Sequence, residues 1–232
     1  MKILFYDLET TGLSSNDCGI VQLAAIMTEF DENNQLTILD KINIEICPRP
    51  GKRVESVALE VNGYTIQQLK TFPTDEESFK TFLTFLNKHI NQYNKYDKCI
   101  LAGYNNINFD NAFLRQWFKD NNSKYFGSYF WSTSIDVLAE ATRYFIHYRP
   151  ALINLKLSTM ARAVGVKVDE ENLHDALYDV YCTMKIFEAI LQDGLIKKFD
   201  MQKIEELRNE MLEAASESVY IPHKRSEVYI ME

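Results

Sequence analysis

The chain has 232 residues, a formal net charge of −8, 46% hydrophobic and 25% charged residues. That length suits one sizeable domain with an appendage and a real core, and the composition excludes the disordered and collagen-like classes. A membrane protein is not expected either, because no apolar run approaches the ~20 residues of a spanning helix. Cys18, Cys47, Cys99 and Cys182 are scattered without a Cys-x-x-Cys pair, which argues against a disulfide framework and a zinc site. The first apolar run, Ile3-Leu4-Phe5-Tyr6, is too short for a signal peptide, so a reducing, cytoplasmic setting is expected.

Residues 2–8 read as a buried strand ending in Asp7-Leu8-Glu9-Thr10-Thr11-Gly12. Residues two apart share a face of a strand, so the Asp7 and Glu9 carboxylates point the same way. Held side by side they repel and lose hydration, and a divalent cation between them removes both penalties. Strands at about 20–30 and 35–46 follow, joined through Asp31-Glu32-Asn33-Asn34, and the short turns favour an antiparallel meander. Cys47-Pro48-Arg49-Pro50-Gly51 breaks the pattern into a loop. Phe79, Phe82, Leu83, Leu86 and Ile90 then recur at helical spacing.

A strand at Cys99–Ala102 leads into Asn105-Asn106-Ile107-Asn108-Phe109-Asp110 and a helix from about 110. A strand near 130–135 and helices at about 136–146, 155–164 and 175–192 complete the order, the last opening on His174-Asp175-Ala176-Leu177-Tyr178-Asp179. Three strands followed by alternating helix and strand give an α/β protein with a mixed five-stranded sheet flanked by helices. Beyond it, Met201, Ile204, Leu207, Met211 and Ala215 form one helical stripe. This helix is expected to pack back on the domain, the alternative being a homodimer or polymerase-docking helix. The last stretch, 222–232, is expected to be loose.

The negative net charge argues at first against a polyanionic ligand, but its distribution does not. Between Ala141 and Val168 there is no Asp or Glu, while Arg143, Arg149, Lys156, Arg162 and Lys167 supply five positive charges. Tyr144, Phe145 and Tyr148 interleave with them, a pattern that suits phosphate contact with base stacking, the alternative being core packing of the rings. Arg149 and Lys156 are the candidate phosphate contacts.

Asp7/Glu9, Asp110 and His174…Asp179 resemble, in this order, the three motifs of the DnaQ-like (DEDDh) 3′–5′ exonuclease superfamily. The second half, Gly103-Tyr104-Asn105-Asn106-x-x-Phe109-Asp110, Arg149-Pro150 and His174-Asp175-Ala176-x-x-Asp179, is closest to the nuclease domain of bacterial exonuclease I. Asp-Leu-Glu-Thr-Thr-Gly-Leu is closer to the proofreading subunits of replicases. The resemblance covers about residues 1–195 and implies a ribonuclease H-like exonuclease domain there, with 196–232 as a C-terminal helix and tail.

It further implies two Mg²⁺ or Mn²⁺ ions per site, consistent with an oxygen-only donor set. Asp7 would bridge both, Glu9 and Asp179 complete the first, and Asp110 serve the second. The plainer reading of Asp110 is an N-cap of the helix that follows. His174 is the candidate general base, with an unperturbed pKa near the working pH, the alternative being an ordinary surface histidine. Five residues of helix separate side chains by about 140°, so His174 and Asp179 reach one site only if His174 precedes the helix. Thr10, Thr11, Gly12 and Leu13 would receive the terminal nucleotide, with Leu13 as a wedge and Asn106 and Phe109 lining the pocket. Core packing is the alternative for Leu13 and Phe109. The expected function is a metal-dependent 3′–5′ exonuclease releasing 5′-mononucleotides, with single-stranded DNA favoured over RNA as partner. The alternatives are an exoribonuclease or oligoribonuclease trimming RNA 3′ ends, and a non-catalytic nucleic-acid-binding or polymerase-docking module.

Overall fold

In the computed structural model the described residues are 1–31, 35–169, 175–193, 209 and 228–231. His174 and, but for residue 209, the helix expected at about 200–216 lie outside them. Three strands, β1 (Lys2–Thr10), β2 (Ile20–Phe30) and β3 (Leu36–Glu45), open the chain. Next come β4 (Arg53–Glu55), α1 (Ser56–Asn62), the single turn α2 (Ile66–Leu69), α3 (Asp75–His89), β5 (Cys99–Gly103) and α4 (Asp110–Asp120). The turn α5 (Phe126–Tyr129), β6 (Phe130–Asp136), α6 (Val137–Tyr144), a 3₁₀ helix at Ile146–Ala151, α7 (Leu157–Ala163), α8 (Ala176–Asp193) and β7 (Val228–Ile230) complete it.

The main sheet has the order β3-β2-β1-β5-β6. β1 and β2 pair antiparallel, as do β2 and β3, while β1–β5 and β5–β6 are parallel. This is the mixed five-stranded sheet read from the sequence. β1 sits at its centre and alternates strictly. Leu4, Tyr6 and Leu8 join Phe79, Phe82, Phe113, Leu114 and Trp117 of α3 and α4 in one core. Ile3 and Phe5 face the other way, into a core with Val137, Ala141, Met160, Val180 and Phe187 of α6, α7 and α8. Each such side chain fully removed from water contributes roughly 1.5–3 kcal/mol, which fixes the register of the strand.

Helix α3 shows how local signals and packing agree. Thr74 and Glu77 form a reciprocal capping box, acids fill the first turn, Lys88 and His89 close the last, and Phe79, Phe82, Phe85 and Leu86 are buried. Some elements went unread. β4, α1 and α2 occupy a stretch with no extended periodicity, and the helix expected at 136–146 ends at Tyr144 before a 3₁₀ segment containing Pro150. The end of the chain differs from expectation too. Val228–Ile230 pairs antiparallel with β4, and Met231, 6% exposed, packs with Val21, Val54, Leu59 and Leu69. The stretch expected to be loose thus includes a strand, because Met231 has an apolar cluster to fill and β4 has a free edge to pair. Among the described residues no helix is long and apolar enough to cross a membrane, and all four cysteines are free thiols.

Candidate active site

The alternation of β1 places the acids. Asp7 and Glu9 continue the Ile3/Phe5 face, which α8 covers, and both remain partly exposed where the apolar run ends. Asp179 lies in the first turn of α8, between the buried Ala176 and Val180 that press the helix onto the sheet. Asp110 arrives from the other side, as the first residue of α4 just beyond the end of β5. Its Oδ1 accepts the Leu8 amide at 3.2 Å, which ties α4 to the middle of the acidic strand. The N-cap residue of α4 is Phe109, so the capping role considered for Asp110 is not realised and its carboxylate is spent on β1. Asp175, in contrast, does cap α8: its Oδ1 accepts the Tyr178 amide at 2.9 Å.

The four carboxylates feel one another. Burial, then Asp110, Glu9 and Asp179, hold Asp7 well above the usual carboxylate range. Glu9 is pushed to about 7 by burial and Asp179, and Asp110 to about 7 chiefly by burial. An added positive charge would relieve these penalties, and the donors are hard oxygens of the kind Mg²⁺ or Mn²⁺ takes. Among the described residues no three acidic, histidine or cysteine groups already close on one point as a bound ion requires. The residues therefore fit a cation by charge and chemistry, with the final ligand geometry left to side-chain rotation.

A polar scaffold outside the acids keeps the adjoining loops in place. Ser134 Oγ accepts from Asn106 Nδ2 and Asn111 Nδ2, each at 3.1 Å, and donates to Leu101 O. Tyr6 donates to Asn111 Oδ1 at 2.7 Å. Asn105 takes a left-handed φ of 62°, a conformation Asn tolerates, and its amide donates to Asp136, which also caps α6. At Gly103 a Cβ would come within 2.7 Å of Asn106 Cβ and 2.9 Å of Tyr6 O, so no larger residue fits there. Asn106 is fully buried. Its side-chain amide donates to Ser134 of β6 and ties the β5–α4 loop to that strand.

The Thr10–Leu13 turn is similarly framed. Thr10 Oγ1 donates to Gly12 O at 2.8 Å, Thr11 Oγ1 donates to Arg53 O and accepts from Gly19 N, and Glu55 N donates to Thr11 O at 2.8 Å. Asn62 Nδ2 holds Thr10 O at 2.8 Å. Both threonine side chains thus serve the turn, while Leu13 stands 82% exposed beside it, clear of the core packing that was its alternative. Phe109 leans into the core against Phe113, with ring centroids 5.0 Å apart. Arg53, Glu55, Asn62, Ser134 and Asp136 were missed by sequence reasoning, since three-residue β4 is too short for alternation to register and isolated polar residues leave no pattern.

Arg149 and Lys156 are both exposed. Arg149 Nη1 donates to Leu152 O at 2.9 Å, and Lys156 precedes α7 without a side-chain capping bond, one residue after Leu155, whose carbonyl accepts from Tyr104 just past β5. Of the interleaved rings, Phe145 is fully buried, and Tyr144 and Tyr148 lie partly buried against the same core. Phe145 therefore follows the packing reading and not the stacking one.

The family described as Exonuclease matches residues 4–187, a span that contains Asp7, Glu9, Asp110, His174 and Asp179. The DNA polymerase III PolC-type of Bacillus cereus is 27% identical over 195 residues, covering 84% of this chain and 12% of the relative. Exodeoxyribonuclease I of Escherichia coli K12 is 26% identical over 208 residues, covering 81% and 39%. Ribonuclease T of Vibrio campbellii is 24% identical over 187 residues, covering 80% and 83%. The chain thus spans well under half the length of the first two. Escherichia coli exonuclease I in complex with a dT13 oligonucleotide superposes with a TM-score of 0.58 at 21% identity over 92% of this chain and 43% of that one. Its zinc-ion-bound form gives 0.63 at 22% identity, over 92% and 44%. The order of the motifs, the sheet that carries their acids and the extent of the match agree: the chain belongs to the exonuclease family, in its DnaQ-like group.

Proposed function

We propose that this protein is a metal-dependent 3′–5′ exonuclease that hydrolyses the terminal phosphodiester of single-stranded DNA and releases 5′-mononucleotides. The observation that carries the reading is the convergence of Asp7, Glu9, Asp110 and Asp179 from one strand and two helices, each acid raising the cost of charge on its neighbours. Asp7, Glu9, Asp110 and Asp179 would hold two Mg²⁺ or Mn²⁺ ions, which neutralise charge at phosphorus and make water a competent nucleophile at neutral pH. The chain's own groups do the rest. The backbone of Thr10–Gly12 receives the terminal 3′ hydroxyl, and Leu13 wedges against the last base. Arg149 and Lys156 contact phosphates upstream. His174 takes the proton from the attacking water.

An RNA-trimming activity is the second reading, favoured by the 83% of ribonuclease T that the chain covers. The two differ in whether the site welcomes a 2′-hydroxyl. Purified protein with Mg²⁺ and 5′-labelled DNA and RNA oligomers, run side by side, tests both. The expected result is a ladder shortening from the 3′ end, faster on DNA. Faster shortening of RNA would transfer the proposal to the second reading, and no shortening of either would remove it.

A further inference from the structure

The pole of the sheet opposite the carboxylates carries features that the catalytic site does not use. β1 and β5 both begin there, Lys2 beside Cys99, roughly 23 Å along the strand from Glu9. The loop at residues 91–98, which leads into β5, is held by its own polar groups. The side chains of Asn91 and Asn94 accept the amides of Tyr93 and Tyr96 at 3.1 and 3.0 Å. Asp97 accepts the Asn91 amide at 2.9 Å and pairs with Lys2 at 2.6 Å. Turns of this kind stiffen a loop without burying its tips. On that frame Tyr93 and Tyr96 stand 87% and 72% exposed, and Tyr125 joins them at 56%. The Tyr129 hydroxyl, four residues after Tyr125, joins the two segments: Asn87 Oδ1 lies 2.9 Å and Gln92 Oε1 3.2 Å from it. Beside the rings is a cleft of about 490 Å³ lined by residues 87–93 and Asp97, rich in amide side chains.

The two loops carry more lysine than acid, with Asp40 of β3 set against Lys88 and His89 at the cleft, 3.4 and 3.2 Å away. Asp97, already paired with Lys2, is the only acid between Lys88 and Gly103, and there is none from Asn121 to Ile135. Lys95 Nζ lies 4.8 Å from the Tyr96 ring centroid and Lys98 Nζ 5.4 Å from that of Trp131. Lys124 directly precedes Tyr125. Neither segment exposes a large aliphatic side chain, and the lysines that flank the rings are of a type depleted from the centre of protein interfaces. Exposed rings interleaved with lysines and amides offer instead what an unpaired strand requires: faces for bases and charge for phosphates.

We propose that this pole is a second nucleic-acid contact that holds single-stranded substrate at a distance from the 3′ end being cleaved. The inference rests on the nucleic-acid reading above and deepens it. Tyr93→Ala/Tyr96→Ala and Lys95→Glu/Lys124→Glu test it, since these side chains are exposed and lie outside the catalytic machinery. Affinity is measured in EDTA for oligothymidylates of about 30 and about 4 nucleotides, lengths that bracket common single-strand site sizes. The tyrosine variant should bind the long oligomer at least roughly tenfold more weakly, by the usual weight of a lost stack. The lysine variant should flatten its salt slope by about 1.4, two phosphates' worth. With Mg²⁺ added, turnover of the short oligomer should be unchanged. Wild-type affinity for the long oligomer in both variants would overturn the inference, while the exonuclease reading would stand on turnover. Self-association lost in the tyrosine variant without a change in affinity would overturn it as well, by making the pole a protein contact.

Discussion

Asp7 sits where the demands of folding and of chemistry conflict. Burial first, and then its acidic neighbours, raise the cost of its charge, so Asp7→Ala should raise the melting temperature of metal-free protein while abolishing cleavage. Thermal scans in EDTA beside a turnover assay check both halves, and more than about a tenth of wild-type turnover would remove Asp7 from the ligand set. His174 poses a different question, because it is proposed to move a proton and not to bind an ion. His174→Ala should slow turnover roughly a hundredfold while keeping metal and DNA affinity, and should shift or erase the acidic limb of the rate profile. In the wild type that limb should fall between roughly pH 5.5 and 7.5, around the ordinary histidine value. A variant with near-normal rate and the same profile would make His174 a bystander.

At the scale of elements, the most informative pair is β4 and β7. β4 hangs the Thr11 turn through the Arg53 carbonyl and the Glu55 amide, and β7 closes the other edge of β4. Met231 anchors β7 among Val21, Val54, Leu59 and Leu69. Met231→Ala should therefore cost about 2 kcal/mol, the low end for a buried truncation in a small cluster, and should raise KM more than it lowers kcat by loosening the turn proposed to receive the substrate end. Denaturant titration and steady-state kinetics read the two effects, and unchanged stability would detach β7 from the catalytic unit. The segment between α6 and α7 makes a separate claim. Arg149→Ala/Lys156→Ala should flatten the salt dependence of single-strand binding by about 1.4 in slope. An unchanged slope would make the acid-free window an ordinary solvated face.

Across the whole molecule, the carboxylates link stability, pH and metal. Glu9 and Asp110 titrate near 7 when folded, against about 4 when unfolded. Between those values the folded state binds more protons, so these groups make stability fall as pH rises from about 4 to 7. A divalent ion bound by these groups, as proposed, would replace the protons and reverse the loss. Mg²⁺ should accordingly raise the melting temperature more at pH 8 than at pH 5, by up to ~2.7 kcal/mol in stability at a hundredfold excess over its Kd. Equal shifts at the two pH values would mean that the ion binds elsewhere. The sequence alone determined most of this molecule's plan. Alternation, helical spacing and turn residues are local quantities, so the five strands and the long helices were legible within a few residues. The acids of the three motifs stand out in the sequence too, because hard oxygen donors for a cation come from few residue types. What only the tertiary structure decided was who meets whom. Asp7 and Glu9 face α8 because the odd positions of β1 lie on that side of the sheet. Asp110 reaches the same place because it bonds the Leu8 amide from across the strand, and buried Asn106 is tied to Ser134. Met231 finds its cluster far away in sequence, and the tyrosines of the opposite pole gather from two segments. These are long-range packing decisions, set by the whole set of buried faces at once, and no local window of sequence contains them.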